Sequence, residues 1–134
     1  MFLSFIISAL LIARAHPSPS PTATPTLPPE NPAITALARH EFVEIQAGSV
    51  DKSHYVDAAA AAMTTQATEK MSELLSSYGA LIRVEWMGTF PVSGPPGIMG
   101  YSYKMDCTTA PIFEQLVIDA DGKIYSIDFL KKLP

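Results

Sequence analysis

The histidine and acidic residues are the first candidates for acid or base chemistry. His40 and Glu44 lie four residues apart, so on a helix they would share a face and could form an acid/base pair at the mouth of a pocket. An exposed helical ion pair, which contributes little to stability, is the commoner explanation of this spacing. His54 and Asp57 flank a predicted helix start, where Asp57 could orient His54 as a base, or both could cap the helix at the surface.

Glu114 is a different kind of candidate, because its position in a predicted strand is apolar. It alternates with Ile112 and Leu116, so on this register the carboxyl group is partly buried and its pKa is expected to rise. The same strand has an alternative core face, formed by Phe113 and Val117, which would turn Glu114 outward.

Three aromatic residues complete the predicted ligand pocket. Trp86, Tyr101 and Tyr103 have apolar rings with polar tips that could line a cavity together with Glu114 and His40. The alternative is that these aromatic side chains form the ordinary core of a half-buried sheet.

Several other chemistries are disfavoured by the composition. Cys107 is the single cysteine, so it cannot form an internal disulfide, and alternation with Tyr103 and Met105 predicts a buried thiol. The lone cysteine and the scattered histidines predict neither a metal site nor a cofactor. A net charge of -4 and the lack of a basic stripe disfavour nucleic-acid binding.

Three helices are expected to precede the sheet. Asn31 and the proline after it form a helix start, and the first helix runs to Gly48 with Arg39, Glu41 and Glu44 largely outside its apolar stripe. This stripe consists of Ile34, Leu37, Ala38, Phe42 and Ile45.

The next two helices are shorter. Asp51 is the predicted cap of an alanine-rich helix that begins at Ser53 and continues to about Met63. Thr64 or its neighbour caps a third helix, which ends at Gly79.

After the third helix the apolar period changes from 3.6 to 2, which predicts strands. Four are expected, over Ile82–Phe90, Tyr101–Cys107, Ile112–Asp119 and Lys123–Leu130, with a hairpin turn at Ala120–Gly122. In the first strand the predicted core face holds Ile82, Val84, Trp86 and Phe90. The pattern predicts an α+β fold in which helices cover one face of an antiparallel sheet.

The N-terminal part of the chain differs from this domain. Residues 1–15 contain an apolar run, Phe2–Ile12, and small residues before a predicted signal cleavage after Ala15. The run is too short to span a bilayer, so no stable membrane span is expected after cleavage. Residues 16–30 are rich in Pro, Ser and Thr and predict a disordered linker, and residues 31–134 form the domain. The expected location is therefore secreted or periplasmic.

The turn and cap residues of the domain carry a resemblance to a known family. Over roughly residues 33 to 130 the chain resembles the NTF2-like (cystatin-like) superfamily, and is similar to small secreted domains that accompany bacterial serine hydrolases. The matching residues are Gly48, Asp51, Ser53, Tyr78, Gly79, Asp121, Gly122, Lys123 and Ile124. The resemblance implies a curved four-stranded sheet wrapped around the first helix in a cone, with a pocket at its open end. It supplies no catalytic residues.

Two functions are consistent with these observations. The first is an exported non-catalytic accessory or binding module, whose partner is a small apolar ligand or an envelope protein. The alternative is a small isomerase or dehydratase that uses His40, His54 or Glu114 as a base in an aromatic pocket. A homodimer formed through the outer face of the sheet is compatible with either.

Overall fold

The computed structural model describes residues 27–134. The predicted signal peptide and most of the predicted linker lie outside the described residues. Three helices precede four strands, as expected: α1 Pro32–Gln46, α2 Asp57–Ala62, α3 Thr65–Ser76, β1 Leu81–Phe90, β2 Met99–Cys107, β3 Ile112–Ile118 and β4 Ile124–Leu130. A 3₁₀ turn at Lys52–His54 lies between α1 and α2.

The start of α1 is formed by the predicted cap. The Asn31 side chain accepts a hydrogen bond from the backbone N–H of Ala33 at 3.1 Å, and proline occupies the first helical turn. Ala38, Phe42 and Ile45 are fully buried on the face that covers the sheet. Because one stripe of α1 is sealed in this way, the helix holds a fixed rotation over the sheet.

The alanine-rich segment differs from its prediction. A continuous helix from Ser53 to Met63 is wrong for the first half, because the chain forms the 3₁₀ turn and then extends through Tyr55. The Asp51 side chain caps Ser53, as predicted, but Tyr55 pairs with Ile124 in a parallel bridge. This tertiary pairing overrides the helical propensity of the alanines, so α2 begins only at Asp57.

The four strands form one antiparallel sheet in the order β1-β2-β3-β4. Each strand therefore pairs with its neighbour in the sequence, which confirms the predicted α+β arrangement of helices and an antiparallel sheet. Within residues 27–134, no helix combines the length and apolar character needed to cross a membrane.

The predicted core face of β1 is partly wrong, because two β-bulges interrupt its alternation. The register shifts between Leu81 and Arg83, so Ile82 is an extra residue, and it is 65% exposed. A second shift follows Trp86, after which Phe90 pairs with Gly100 on the opposite face. A two-residue period cannot detect such insertions, since each one exchanges the two faces.

A row of directly opposed residues crosses the face of the sheet that packs against the helices. Trp86 pairs with Tyr103, Tyr103 with Glu114, and Glu114 with Phe129. The Phe42 ring of α1 packs edge-on against Phe129, with ring centroids 5.9 Å apart. The buried apolar residues of α1, α3 and the sheet form one core around this row.

The end of the predicted linker contacts the domain. The indole N–H of Trp86 donates a hydrogen bond of 2.8 Å to the carbonyl oxygen of Pro28. The Thr35 hydroxyl donates to Glu30 at 2.8 Å. The residues just before α1 are therefore held against the domain by hydrogen bonds.

Candidate functional site

A polar cluster lies between α1 and the segment that follows the 3₁₀ turn, and Glu41 is its centre. This carboxylate is fully buried. Its Oε2 accepts a hydrogen bond from the Tyr55 hydroxyl at 2.7 Å, and its Oε1 lies 2.7 Å from Nδ1 of His54. A buried carboxylate needs such partners. The extended backbone at Tyr55 brings the phenol to Glu41, and this hydrogen bond offsets part of the cost of burying the carboxylate.

The prediction that Glu41 lies outside the apolar stripe of α1 is wrong. Ala38, Glu41 and Ile45 are spaced by three and four residues, so they occupy one helical face, and each is fully buried. The spacing therefore indicates a buried position for Glu41. The prediction placed it outside because glutamate is seldom buried unless it is paired, and its partner Tyr55 lies in another element.

Glu114 is also fully buried, and it faces the helices with Ile112 and Leu116. The alternative, in which Phe113 and Val117 form the core face and Glu114 is turned outward, is therefore not observed. Neither oxygen of Glu114 has a hydrogen-bond partner among the described residues. Burial, and then the negative charge of Glu41, raise its pKa well above the ordinary value. The neutral acid is consequently the form that the core favours.

Two tyrosines near these carboxyl groups remain neutral donors. Burial, followed by the hydrogen bond to Glu41, raises the pKa of Tyr55. Burial raises the pKa of Tyr103 to about 12, while its hydrogen bond with Thr35, whose hydroxyl oxygen lies 3.2 Å from the phenol oxygen, opposes that shift. Both phenols therefore keep their protons at any physiological pH.

His54 connects the buried cluster to the surface, since about a third of its side chain is exposed. Its hydrogen bond with Glu41 raises the pKa of the imidazole; burial opposes this, and the charge of Asp51 supports it. Nε2 of His54 lies 3.6 Å from Asp51 Oδ2. An imidazole held between two carboxylates can bind a proton or a cation. The suggested pairing with Asp57 is not formed, because the 3₁₀ turn directs His54 toward α1 instead.

His40 contacts Glu44 on the same helical face, as the four-residue spacing suggests, with its Nε2 3.3 Å from Glu44 Oε1. Its ring also packs edge-on against that of His54, with centroids 5.4 Å apart. His40 is half exposed, so of the five predicted pocket residues it is the most accessible to solvent.

The other four predicted pocket residues lie together on the inner face of the sheet. The Trp86 ring centroid is 6.0 Å from that of Tyr101 and 5.3 Å from that of Tyr103, and Glu114 is the cross-strand partner of Tyr103. Tyr103 and Glu114 are completely covered by protein, whereas Trp86 and Tyr101 are half-buried. These side chains form a closed aromatic and acidic core.

An open groove lies at one end of the sheet. It has a volume of about 410 Å³ and lies between the start of α2, the β1–β2 loop and the β3–β4 turn. Its lining residues are Val56, Ala58, Pro95, Pro96, Ile98, Asp119, Ala120, Asp121 and Tyr125. The ring of Tyr125, which is 40% exposed, also borders a smaller cavity of about 170 Å³ next to Met63.

Sequence reasoning missed Tyr125 as a surface residue of interest. The register of β3 and β4 shifts so that Val117 pairs with Ser126 and Ile118 with Ile124. Tyr125 is therefore a bulged residue, projected away from the regular ladder. The hydrogen bonds of the Asp119 side chain to the turn hold this end of β4 in place.

No family model matches the chain, and neither a search of curated proteins nor one of solved structures finds a match.

Proposed function

We propose that this protein is an exported, non-catalytic binding module, and that it binds a small apolar molecule in the groove beside Tyr125. The groove is the observation that carries the proposal. Its volume of about 410 Å³ lies within the range of small-molecule sites, and its walls are mostly apolar. The predicted signal peptide supports export.

The lining of the groove restricts the chemistry of the ligand. The apolar walls favour a hydrophobic body, and Tyr125 offers an aromatic surface for it. Asp119 and Asp121 border the groove and would repel an anion. A neutral or positively charged apolar molecule therefore fits better than a fatty acid or a phosphate ester.

The sealed core supports a role without catalysis. Glu114 has no solvent-exposed atoms, and it faces packed side chains instead of a cavity. A general base must come within hydrogen-bond reach of its substrate. A substrate could approach Glu114 only after the helices had separated from the sheet.

A fluorescence titration with the neutral apolar dye N-phenyl-1-naphthylamine tests this proposal. We expect saturable binding with one site per chain, and weaker binding of an anionic naphthalene sulfonate dye. Tyr125→Ser should lower the affinity about tenfold, since it removes most of the aromatic contact area at this wall.

Ile82→Ser is the matched control, because it removes a still more exposed apolar side chain that does not line the groove. This variant should bind the dye like the unmodified protein. Equal binding by all three proteins, or no saturable binding by any, would contradict the proposal. Displacement of the dye by an envelope protein but by no small molecule would assign the groove to the protein partner instead.

One observation favours the second candidate, an acid/base enzyme of the isomerase or dehydratase type. The bond between Glu41 and the partly exposed His54 provides an imidazole whose proton is shared with a buried carboxylate. If a co-purified molecule is chemically converted by the protein, and conversion stops in His54→Gln, this candidate replaces the binding module.

The family assignment is part of the same proposal. Helices followed by an antiparallel meander support the resemblance to the NTF2-like superfamily. In such a cone, the groove at the β1–β2 and β3–β4 ends would be the ligand entrance.

A further inference from the structure

The fold brings two histidines and a carboxylate into one group at the surface end of the polar cluster. His40 and Glu41 are consecutive in α1, and His54 comes from the 3₁₀ turn. One donor atom from each of the three lies within 4.8 Å of the other two. Each element is fixed independently, since α1 is sealed against the core and Asp51 caps the turn.

Two imidazole nitrogens and one carboxylate oxygen are a donor set that binds zinc and related divalent transition metals. Tetrahedral zinc at about 2.1 Å from each ligand would place these donors about 3.4 Å apart. Nδ1 of His54 and Oε1 of Glu41 are 2.7 Å apart and share a proton, so the ion would replace that proton and the two atoms would separate by about 0.7 Å. The imidazole of His40 has to move toward the other two donors. Because its side chain is half exposed, a change of rotamer can supply that movement.

Glu41 and His54 each have an outer partner that would orient the donor atom. The Tyr55 hydroxyl donates to the second oxygen of Glu41 at 2.7 Å. Asp51 lies 3.6 Å from the other ring nitrogen of His54. Carboxylates and hydroxyls in this position are the usual supports of metal-binding residues.

The local charge also favours a cation. Glu41, Glu44 and Asp51 surround the two imidazoles, and Oε2 of Glu44 is shielded from solvent without a hydrogen-bond partner among the described residues. The ammonium group of Lys123 is engaged with the backbone carbonyl of Ser53. A divalent ion would offset this excess of carboxylates.

We infer that His40, Glu41 and His54 bind one divalent transition-metal ion, of which Zn²⁺ is the best match. The ion would connect α1 to the 3₁₀ turn, and its remaining coordination position would face solvent. The site is separate from the Tyr125 groove in its residues, so it does not depend on the proposed function.

Calorimetric titration of the chelator-stripped protein with Zn²⁺ tests this inference. We expect one ion per chain. His40→Gln, which alters a half-exposed side chain and should leave the fold intact, is expected to weaken binding about a hundredfold or more. Asp51→Asn, which removes an outer partner, should weaken it about tenfold.

His16→Gln is the matched control, since it removes a histidine that lies outside the described residues, and it should bind Zn²⁺ unchanged. The absorption spectrum of the Co²⁺ form provides a second readout, because nitrogen and oxygen ligation gives a characteristic visible band that His54→Gln should alter. The inference is overturned if the protein binds no stoichiometric Zn²⁺, if His40→Gln and His54→Gln bind it as tightly as the unmodified protein, or if His16→Gln abolishes binding.

Discussion

Replacing Glu114 should flatten the pH dependence of stability in the mildly acidic range. In the unfolded chain this carboxyl group ionises near its ordinary pKa of 4.5, whereas burial and the charge of Glu41 raise the pKa in the folded protein. Above pH 4.5 the folded state therefore holds a proton that the unfolded state has lost. Stability is fully present below that pH and falls as the pH rises toward the folded pKa.

The size of the effect follows from proton linkage. Each pH unit over which the folded state retains one extra proton lowers the free energy of unfolding by about 1.4 kcal/mol. For a folded pKa above this range, the loss from pH 5.0 to 6.5 would be about 2 kcal/mol, a large fraction of the roughly 5–15 kcal/mol that stabilises a typical domain. His54 contributes mainly above this window, because its pKa is raised from 6.5.

The assay is urea unfolding at pH 5.0, 5.5, 6.0 and 6.5 in the presence of EDTA, which keeps metal ions off the histidines. The unmodified protein should lose stability steadily across this range, by up to about 2 kcal/mol, while Glu114→Gln and Glu114→Met should lose little. Gln keeps the shape of the neutral acid, and Met removes the buried polar atoms. Glu73→Gln, on the exposed side of α3, is the control and should retain the full slope.

The slope decides this test, because the absolute stability of the variants can change for other reasons. An amide at position 114 without a partner would cost about 1–3 kcal/mol at every pH. If Glu114→Gln and Glu114→Met both retain the slope of the unmodified protein, Glu114 does not hold a proton in the core, and the description of the closed acidic core is wrong.

Three further perturbations have clear expected results. His54→Gln should remove a stabilisation that is fully present below pH 6.5 and lost as the pH rises through the folded pKa, so urea unfolding with EDTA should show a larger loss at pH 6 than at pH 8. Gly79→Ala combines a positive φ of 84° with a clash against the Thr108 hydroxyl, and thermal unfolding should show a loss of about 2 kcal/mol or more. Gly122→Ala, at a similar φ without neighbours, should lose less. Trp86→Phe removes the hydrogen bond to the segment before α1, and limited proteolysis should cut that segment faster while stability falls by about 1 kcal/mol or less.

Much of the architecture was predictable because its signals are local. Three features depend only on residues that are neighbours in the sequence, and all three are present in the structure. They are the cap at Asn31, the change of apolar period after α3 and the hairpin before Ile124. The helix through Tyr55 was mispredicted because a strand distant in sequence pairs with that residue. The faces of β1 were mispredicted beyond its bulges, since the two-residue period carries no record of an inserted residue.

The candidate site was less predictable, because its contacts join distant elements. Glu114 was recognised from the apolar residues beside it in the strand. The bonds of Glu41 to His54 and Tyr55 depend on the 3₁₀ turn, and although its Asp51 cap was predicted, the residues after the cap were expected to be helical. Tyr125 faces the groove because of a register shift between β3 and β4.

The measurement that tests the central claim most directly is an amide NMR titration of the protein with N-phenyl-1-naphthylamine. If the groove is the binding site, the largest shift changes will fall on Val56, Ala58, Ile98 and Tyr125, and they will saturate with the fluorescence signal. Changes centred instead on Trp86 and Tyr101, or none that saturate, would contradict the assignment of ligand binding to the Tyr125 groove.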